Sequence, residues 1–255
     1  MLKLEDSDIH LWYADQAEFN VPELEENCTN LLTDQEAERY QRYTSEQRRK
    51  QFLLGRMLIR KTLSQYAELP PAAWKFVVNG YGKPTIEMAG KGHALFFNLS
   101  HSGDRLVLAI ANNESIGVDI EARNKPRRLP KVADRYFSPT EVADLFALPE
   151  AEQLSRFYDL WTLKEAYIKA CGLGLAISLQ HFSYSFPSDH RVLVDFSAER
   201  NDDAAQWQFW LIDPRGPFKM GLAIKSGLNK ITKIQSRKYL ALEEIITVDT
   251  DIVRD

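Results

Sequence analysis

The chain has 255 residues, 44% hydrophobic and 27% charged, which is ordinary globular usage and enough for one large core or two modest ones. Its net charge of −4 argues against a general nucleic-acid binder, and no stretch approaches the roughly 18 apolar residues of a membrane span. Cys28 and Cys171 form no CxxC pair, which argues against a disulfide framework or a cysteine zinc site. The start, MLKLEDSDIHLWYAD, carries early acids and no uncharged apolar run, so no signal peptide is expected and a reducing cytoplasm fits best.

From Thr33 the pattern turns helical, with Thr33 and Glu36 spaced as a capping box. A second helix is predicted from about Ser45 to about Ala67, ending before Pro70-Pro71. Arg49, Arg56 and Arg60 share one face of it, and Phe52, Ile59, Leu63 and Tyr66 form an apolar stripe. From Trp74 to Glu121 the texture is strand-like: WKFVV, the turn NGYGKP, ALFFNLS, RLVLAIA and SIGVDIEA. Ser138, Pro139 and Glu141 satisfy the N-cap, N1 and N3 rules and restart helix. A further helix over Glu150 to Cys171 stops at Gly172, and HFSYSF, RVLVDFS, WQFWLID and FKMGLAI follow as strands. Helices-then-strands occurs twice, which predicts an α+β fold of two halves, 1–113 and 114–255, the second with a C-terminal extension.

Charge lies in islands. Eight Lys/Arg face three Glu between Glu36 and Lys61, six face one Asp between Arg123 and Arg135, and five face none between Lys225 and Lys238. Such islands on an acidic protein point to a polyanion ligand or an acidic partner, although solvated faces explain any one of them equally well.

Four motifs could carry chemistry. In GVDIEA, strand alternation puts Ile116, Val118 and Ile120 on one face and Gly117, Asp119 and Glu121 on the other. Neighbouring carboxylates repel unless solvated or holding a cation, and oxygen-only ligation favours Mg²⁺ over zinc. In WTLKEAYIK, Trp161, Glu165 and Lys169 stand at i, i+4 and i+8 of a helix, with Lys164 beside them. In FNLSHSGD, Ser100, His101 and Ser102 offer donors for a phosphate; a Ser–His nucleophile is disfavoured without a GxSxG elbow. In GYGKP, Gly80 and Gly82 permit a tight turn that holds Lys83 against Pro84. Taken singly, each is as well explained by a solvated face or by core. No Walker A or GxGxxG occurs.

In order, GYGKP, FNLSHSGD, IGVDIEA, RYFSPTE and WTLKEAYIKACGLGL closely resemble the surfactin-synthetase-activating (Sfp) type of 4'-phosphopantetheinyl transferase, over roughly 36–177. The resemblance implies a pseudo-dimer of two α+β halves with the active site in the cleft between them. It implies Mg²⁺ at Asp119, Glu121 and Glu165, Lys169 near the transferring phosphate, and Lys83 near the nucleotide of coenzyme A. It places Ser100 and His101 at the 3'-phosphate and diphosphate, joined by a helix cation, Arg56 or alternatively Lys50. Asp119, Glu165 and Lys169 would be catalytic, with Glu165 the candidate base. The expected partners are coenzyme A and an apo acyl- or peptidyl-carrier protein, without nucleic acid or membrane, and the protein itself is expected to be a monomer. Rival readings are a Mg²⁺-dependent phosphohydrolase, a degenerate carrier-binding module and a CoA-binding regulator. The first thirty residues and the tail after about Lys230 carry no usable motif.

Overall fold

A computed structural model describes residues 1–87, 95–123, 128–228 and 230–255, with the backbone alone of Leu175. The first half contributes β1 (Asp8–Asp15), α1 (Val21–Cys28), α2 (Asp34–Gln41), α3 (Glu46–Leu63), β2 (Phe76–Val78), β3 (Pro84–Ile86), β4 (Phe96–Ser102) and β5 (Arg105–Ala111). Then come β6 (Ile116–Ala122), α4 (Leu129–Tyr136), α5 (Pro139–Ala147), α6 (Glu150–Cys171), β7 (Phe182–Ser188), β8 (Arg191–Phe196), β9 (Gln208–Asp213) and β10 (Phe218–Ile224). The chain ends in β11 (Lys233–Tyr239), β12 (Ile245–Val248) and β13 (Asp251–Arg254).

One sheet runs β12-β11-β1-β5-β4 and another runs β13-β9-β10-β6; β2-β3 and β7-β8 are separate hairpins. Alternation divides each strand between two cores. Ile9, Leu11, Val107 and Ala109 on the first sheet meet Ile116, Val118, Ile120, Met220 and Leu222 on the second. The outer face of the first sheet, with Trp12, Leu106 and Leu108, packs on Leu54, Met57 and Leu58 of α3. The outer face of the second, with Phe209, Leu211 and Ala223, packs on Leu163, Ala166 and Ala170 of α6. The result is helix, sheet, sheet, helix, each buried Leu or Ile being worth about 1.5–3 kcal/mol.

The expected caps form: Thr33 with Glu36 on α2, Ser138 with Glu141 on α5, and Gly172 in left-handed conformation after α6. Helix α3 starts after Ser45 as predicted but ends at Leu63, short of Ala67. There the Gln65 carbonyl accepts from the Leu2 amide and Ser64 Oγ donates to the Leu69 carbonyl, so the backbone turns away.

The ends of the chain depart from expectation. Strand β1 lies inside the first sheet, and β11 pairs with it in parallel, so the motif-free segments form much of that sheet. The C-terminal extension expected in the second half crosses back as β11 and β12, and only β13 joins the second sheet. Parallel pairing between chain ends leaves no local signal, because no turn links the two strands.

Candidate active site

The two sheets meet at their edges, where β4 lies beside β6 without a backbone ladder. Three outward amides of β6 are instead satisfied by side chains two residues apart on β4. Val118 N–H donates to Asn98 Oδ1 (3.0 Å), Ile120 N–H to Ser100 Oγ (3.3 Å) and Ala122 N–H to Ser102 Oγ (3.1 Å). Ser100 Oγ also donates to Asp119 Oδ1 (3.0 Å), and Ser102 Oγ to Glu121 Oε2 (2.9 Å).

Helix α6 rides directly on the backbone of β6 and β10. A Cβ on Gly117 would stand 2.1 Å from the Ala166 carbonyl oxygen, and one on Gly221 would stand 2.5 Å from that of Thr162. This closeness brings Lys169 over the seam, where Nζ donates to Asp119 Oδ1 (2.7 Å), Ser100 Oγ (2.8 Å) and the Val118 carbonyl (3.2 Å). Asp119 is buried, and burial raises its pKa above the ordinary carboxylate value. Lys169 and Ser100 pull it down, while Glu121 adds to the rise. Its Oδ2 accepts no hydrogen bond among the described residues.

Beside Ser100 on β4, His101 lines a pocket of about 460 Å³ with Arg39, Arg48, Arg56, Phe52 and Tyr43. Arg56 stacks over Phe52 at 4.9 Å and lies 2.9 Å from Glu36 Oε1, close enough for an ion pair but not aligned as a hydrogen bond. Burial, with Arg60 and Arg39 nearby, holds the Arg56 pKa below the usual guanidinium value despite Glu36. Arg56 therefore stands at the pocket, and Lys50 does not line it. Arg39 and Arg48 escaped the sequence reading. Their signal was the basic island together with Arg48, Gln51, Phe52, Gly55 and Arg56 at one helical face's spacing.

Two expected placements change. The Lys83 ammonium is engaged by backbone carbonyls, those of Glu114 (2.8 Å), Ala170 (2.9 Å) and Ile116 (3.4 Å). It fastens the GYGKP turn to the last turn of α6, where orphan carbonyls attract a cation, instead of presenting a free charge. Nor are Asp119, Glu121 and Glu165 drawn into a three-carboxylate cluster: among the described residues no three His, Cys, Asp or Glu are placed to hold a metal ion. The cation on Asp119 is Lys169, and carboxylates without a shared ion repel. The donor chemistry nonetheless suits Mg²⁺. This ion commonly takes one or two carboxylates and completes its shell with substrate phosphates and water. Adjacent Asp119 and Glu121, with a buried, unpartnered Oδ2, fit that role.

Comparison with known proteins identifies the family. The family described as "4'-phosphopantetheinyl transferase, N-terminal" matches residues 13–113, and the "4'-phosphopantetheinyl transferase superfamily" matches residues 115–223. The 4'-phosphopantetheinyl transferase Sfp of Bacillus subtilis is 35% identical over 170 residues, covering 67% of this chain and 73% of that protein. The 4'-phosphopantetheinyl transferase HetI of a Nostoc species is 33% identical over 177 residues, covering 69% and 73%. The chain therefore belongs to the Sfp-type 4'-phosphopantetheinyl transferase family and is an enzyme of that class. No helix among the described residues is long and apolar enough to cross a membrane.

Proposed function

We propose that this enzyme moves the phosphopantetheine arm of coenzyme A onto a serine hydroxyl of an apo acyl- or peptidyl-carrier protein, releasing adenosine 3',5'-bisphosphate, with Mg²⁺ held by Asp119 and Glu121. One observation carries the reading. His101 lines the arginine pocket while its neighbour Ser100 bonds Asp119 and Lys169, so anchoring and reacting ends of a phosphate-rich ligand fall on consecutive residues.

Arg39, Arg48, Arg56 and His101 hold the phosphates of the nucleotide end, arginine being suited to bidentate contact with phosphate oxygens. Tyr43, with Phe52 beneath Arg56, supplies the aromatic part of the pocket lining beside the nucleotide. Lys169, already on Asp119 and Ser100, donates to the diphosphate at the bond that breaks. The carrier serine Oγ forms a bond to the phosphorus next to pantetheine, and the anhydride bond beyond it breaks, its electron pair leaving with adenosine 3',5'-bisphosphate. Glu165, one helical turn before Lys169 on α6, takes the serine proton. Bound Mg²⁺ would supply charge neutralisation at the diphosphate and the leaving oxygen. Lys83 contributes by bracing the turn against α6.

The test is mass spectrometry of an apo carrier protein incubated with coenzyme A, Mg²⁺ and this enzyme. A gain of one phosphopantetheine on the serine, matched by adenosine 3',5'-bisphosphate, is expected. Bisphosphate release without carrier modification would instead indicate hydrolysis of coenzyme A.

A further inference from the structure

We infer that Asn98 and Ser102 are positioning residues of the transfer reaction, holding Glu121 and the backbone around Asp119 in place through the seam between the sheets. The inference rests on the metal-dependent reading above. Neither residue lines the arginine pocket, and both are buried. On most strands an edge amide finds water or another strand. Here β6 presents the amides of Val118, Ile120 and Ala122 to β4, and every second residue of β4 from Asn98 onward is a short polar acceptor. An Asn-x-Ser-x-Ser pattern is what a strand of period two needs to replace a backbone ladder by side chains. The substitution has a consequence for the site. Side chains keep the two backbones further apart than direct ladder bonds would, and Lys169 Nζ reaches over this seam to touch Ser100 on one strand and Val118 and Asp119 on the other.

Ser102 has two tasks at once. Its oxygen accepts from Ala122 N–H while its hydroxyl proton goes to Glu121 Oε2, which fixes one oxygen of that carboxylate. Asn98 Oδ1 pins the amide one residue before Asp119. Removing either leaves a buried amide unsatisfied next to a proposed ligand carboxylate. Partners that orient ligating carboxylates typically matter by about 10- to 100-fold in metal affinity or activity.

The experiment uses the full chain with an apo carrier protein, and follows Mn²⁺ binding by electron paramagnetic resonance in the presence of coenzyme A. Ser102→Ala and Asn98→Ala should lower kcat and weaken Mn²⁺ binding by about 10-fold or more, with KM for coenzyme A changed less than about threefold. Asn98→Asp, which keeps the acceptor oxygen, should restore much of the loss. If Ser102→Ala does not fold, Ser102→Cys, of nearly the same size but a weak hydrogen-bonding group, should fold and lose kcat and Mn²⁺ affinity in the same direction. Normal kcat and Mn²⁺ affinity in a folded variant, whatever its melting temperature, would overturn the inference. Absence of transfer by the unmutated enzyme would instead overturn the functional reading beneath it.

Discussion

Each half of the molecule opens its main helical layer with a capping box and gives that box's glutamate a cation from the long helix, yet the two halves finish the arrangement differently. In the second half Lys164 of α6 meets Glu141 at 2.8 Å with both side chains sealed, 0% and 1% exposed. The ammonium also donates to the Leu179 and Phe182 carbonyls, and Glu141 accepts from the Ser138 and Tyr184 amides. In the first half Glu36 takes two cations from α3: Arg60, 1% exposed and stacked on Phe76, and Arg56, 26% exposed and facing the pocket. The same device is closed into structure on one side and left with an arginine to spare on the other. The first half thereby lends cations to an open pocket, and the second carries Asp119, Glu121, Glu165 and Lys169, the residues proposed to act on the diphosphate.

The comparison is broken most directly at its sealed end. Lys164→Ala strands the Glu141 carboxylate in the interior and should destabilise the protein by about 3–5 kcal/mol. Arg60→Ala leaves Glu36 both Arg56 and some contact with water, and should cost only about 1–3 kcal/mol. Urea denaturation of the two variants measures the difference. Equal losses would mean that the halves use their glutamates alike.

The reacting end comes next. Asp119→Ala and Glu165→Ala should each reduce turnover about 100-fold or more while the circular dichroism stays native, because the diphosphate is mispositioned. A chelator should abolish transfer and Mg²⁺ or Mn²⁺ restore it, whereas zinc should substitute poorly at oxygen donors. Full activity after chelation would leave Asp119 as a structural partner of Lys169 and nothing more.

The anchoring end should respond in binding rather than rate. Arg56→Ala should weaken coenzyme A by about 1.5–3 kcal/mol, the worth of a bond to a charged group, and dephospho-coenzyme A less if Arg56 meets the 3'-phosphate. Calorimetry with both ligands decides this. Lys83→Ala should act differently: losing the clamp on the Glu114 and Ala170 carbonyls should lower the melting temperature more than the affinity.

What the sequence disclosed follows from range. Helix caps are local, so Thr33–Glu36, Ser138–Glu141 and Gly172 could be read from a few residues each. Strand alternation correctly put Asp119 and Glu121 opposite Ile116, Val118 and Ile120. It could not foresee that the acidic face would be covered by α6, a packing permitted by Gly117 and Gly221 on two separate strands. A lysine at a turn looks the same in sequence whether its ammonium meets phosphate or a helix terminus, and only the fold puts the Lys83 ammonium on the Glu114 and Ala170 carbonyls. The chain ends were silent because β1 and β11 find each other across most of the chain. The seam was half legible. Ser100 was singled out as a phosphate donor, but its role toward the Ile120 amide, and those of Asn98 and Ser102, exist only once β4 and β6 are side by side.

The smallest effect expected concerns the carrier protein, and it extends the contrast to the surface. Helix α4 follows the metal-strand candidate β6 directly, packs Val132 and Ala133 on the α6 core, and leaves Arg128, Lys131 and Arg135 exposed. Arg127, part of the same basic island, lies outside the described residues. Carrier proteins of the kind proposed here commonly present an acidic helix beside the acceptor serine, so this basic face is the proposed dock. Arg56 is half-buried at the pocket, whereas these cations, like Arg39 and Arg48 at the pocket's edge, stand in solvent, where the Debye length is about 8 Å at physiological salt. Exposed pairs of this kind steer encounter more than they hold the complex. Arg128→Glu with Lys131→Glu should therefore raise KM for the carrier several-fold, flatten its dependence on salt and leave coenzyme A affinity unchanged. Steady-state kinetics at two salt concentrations separates the outcomes: an unaltered KM at both leaves α4 as a solvated face, and a weakened coenzyme A affinity would mean that its cations belong to the pocket instead.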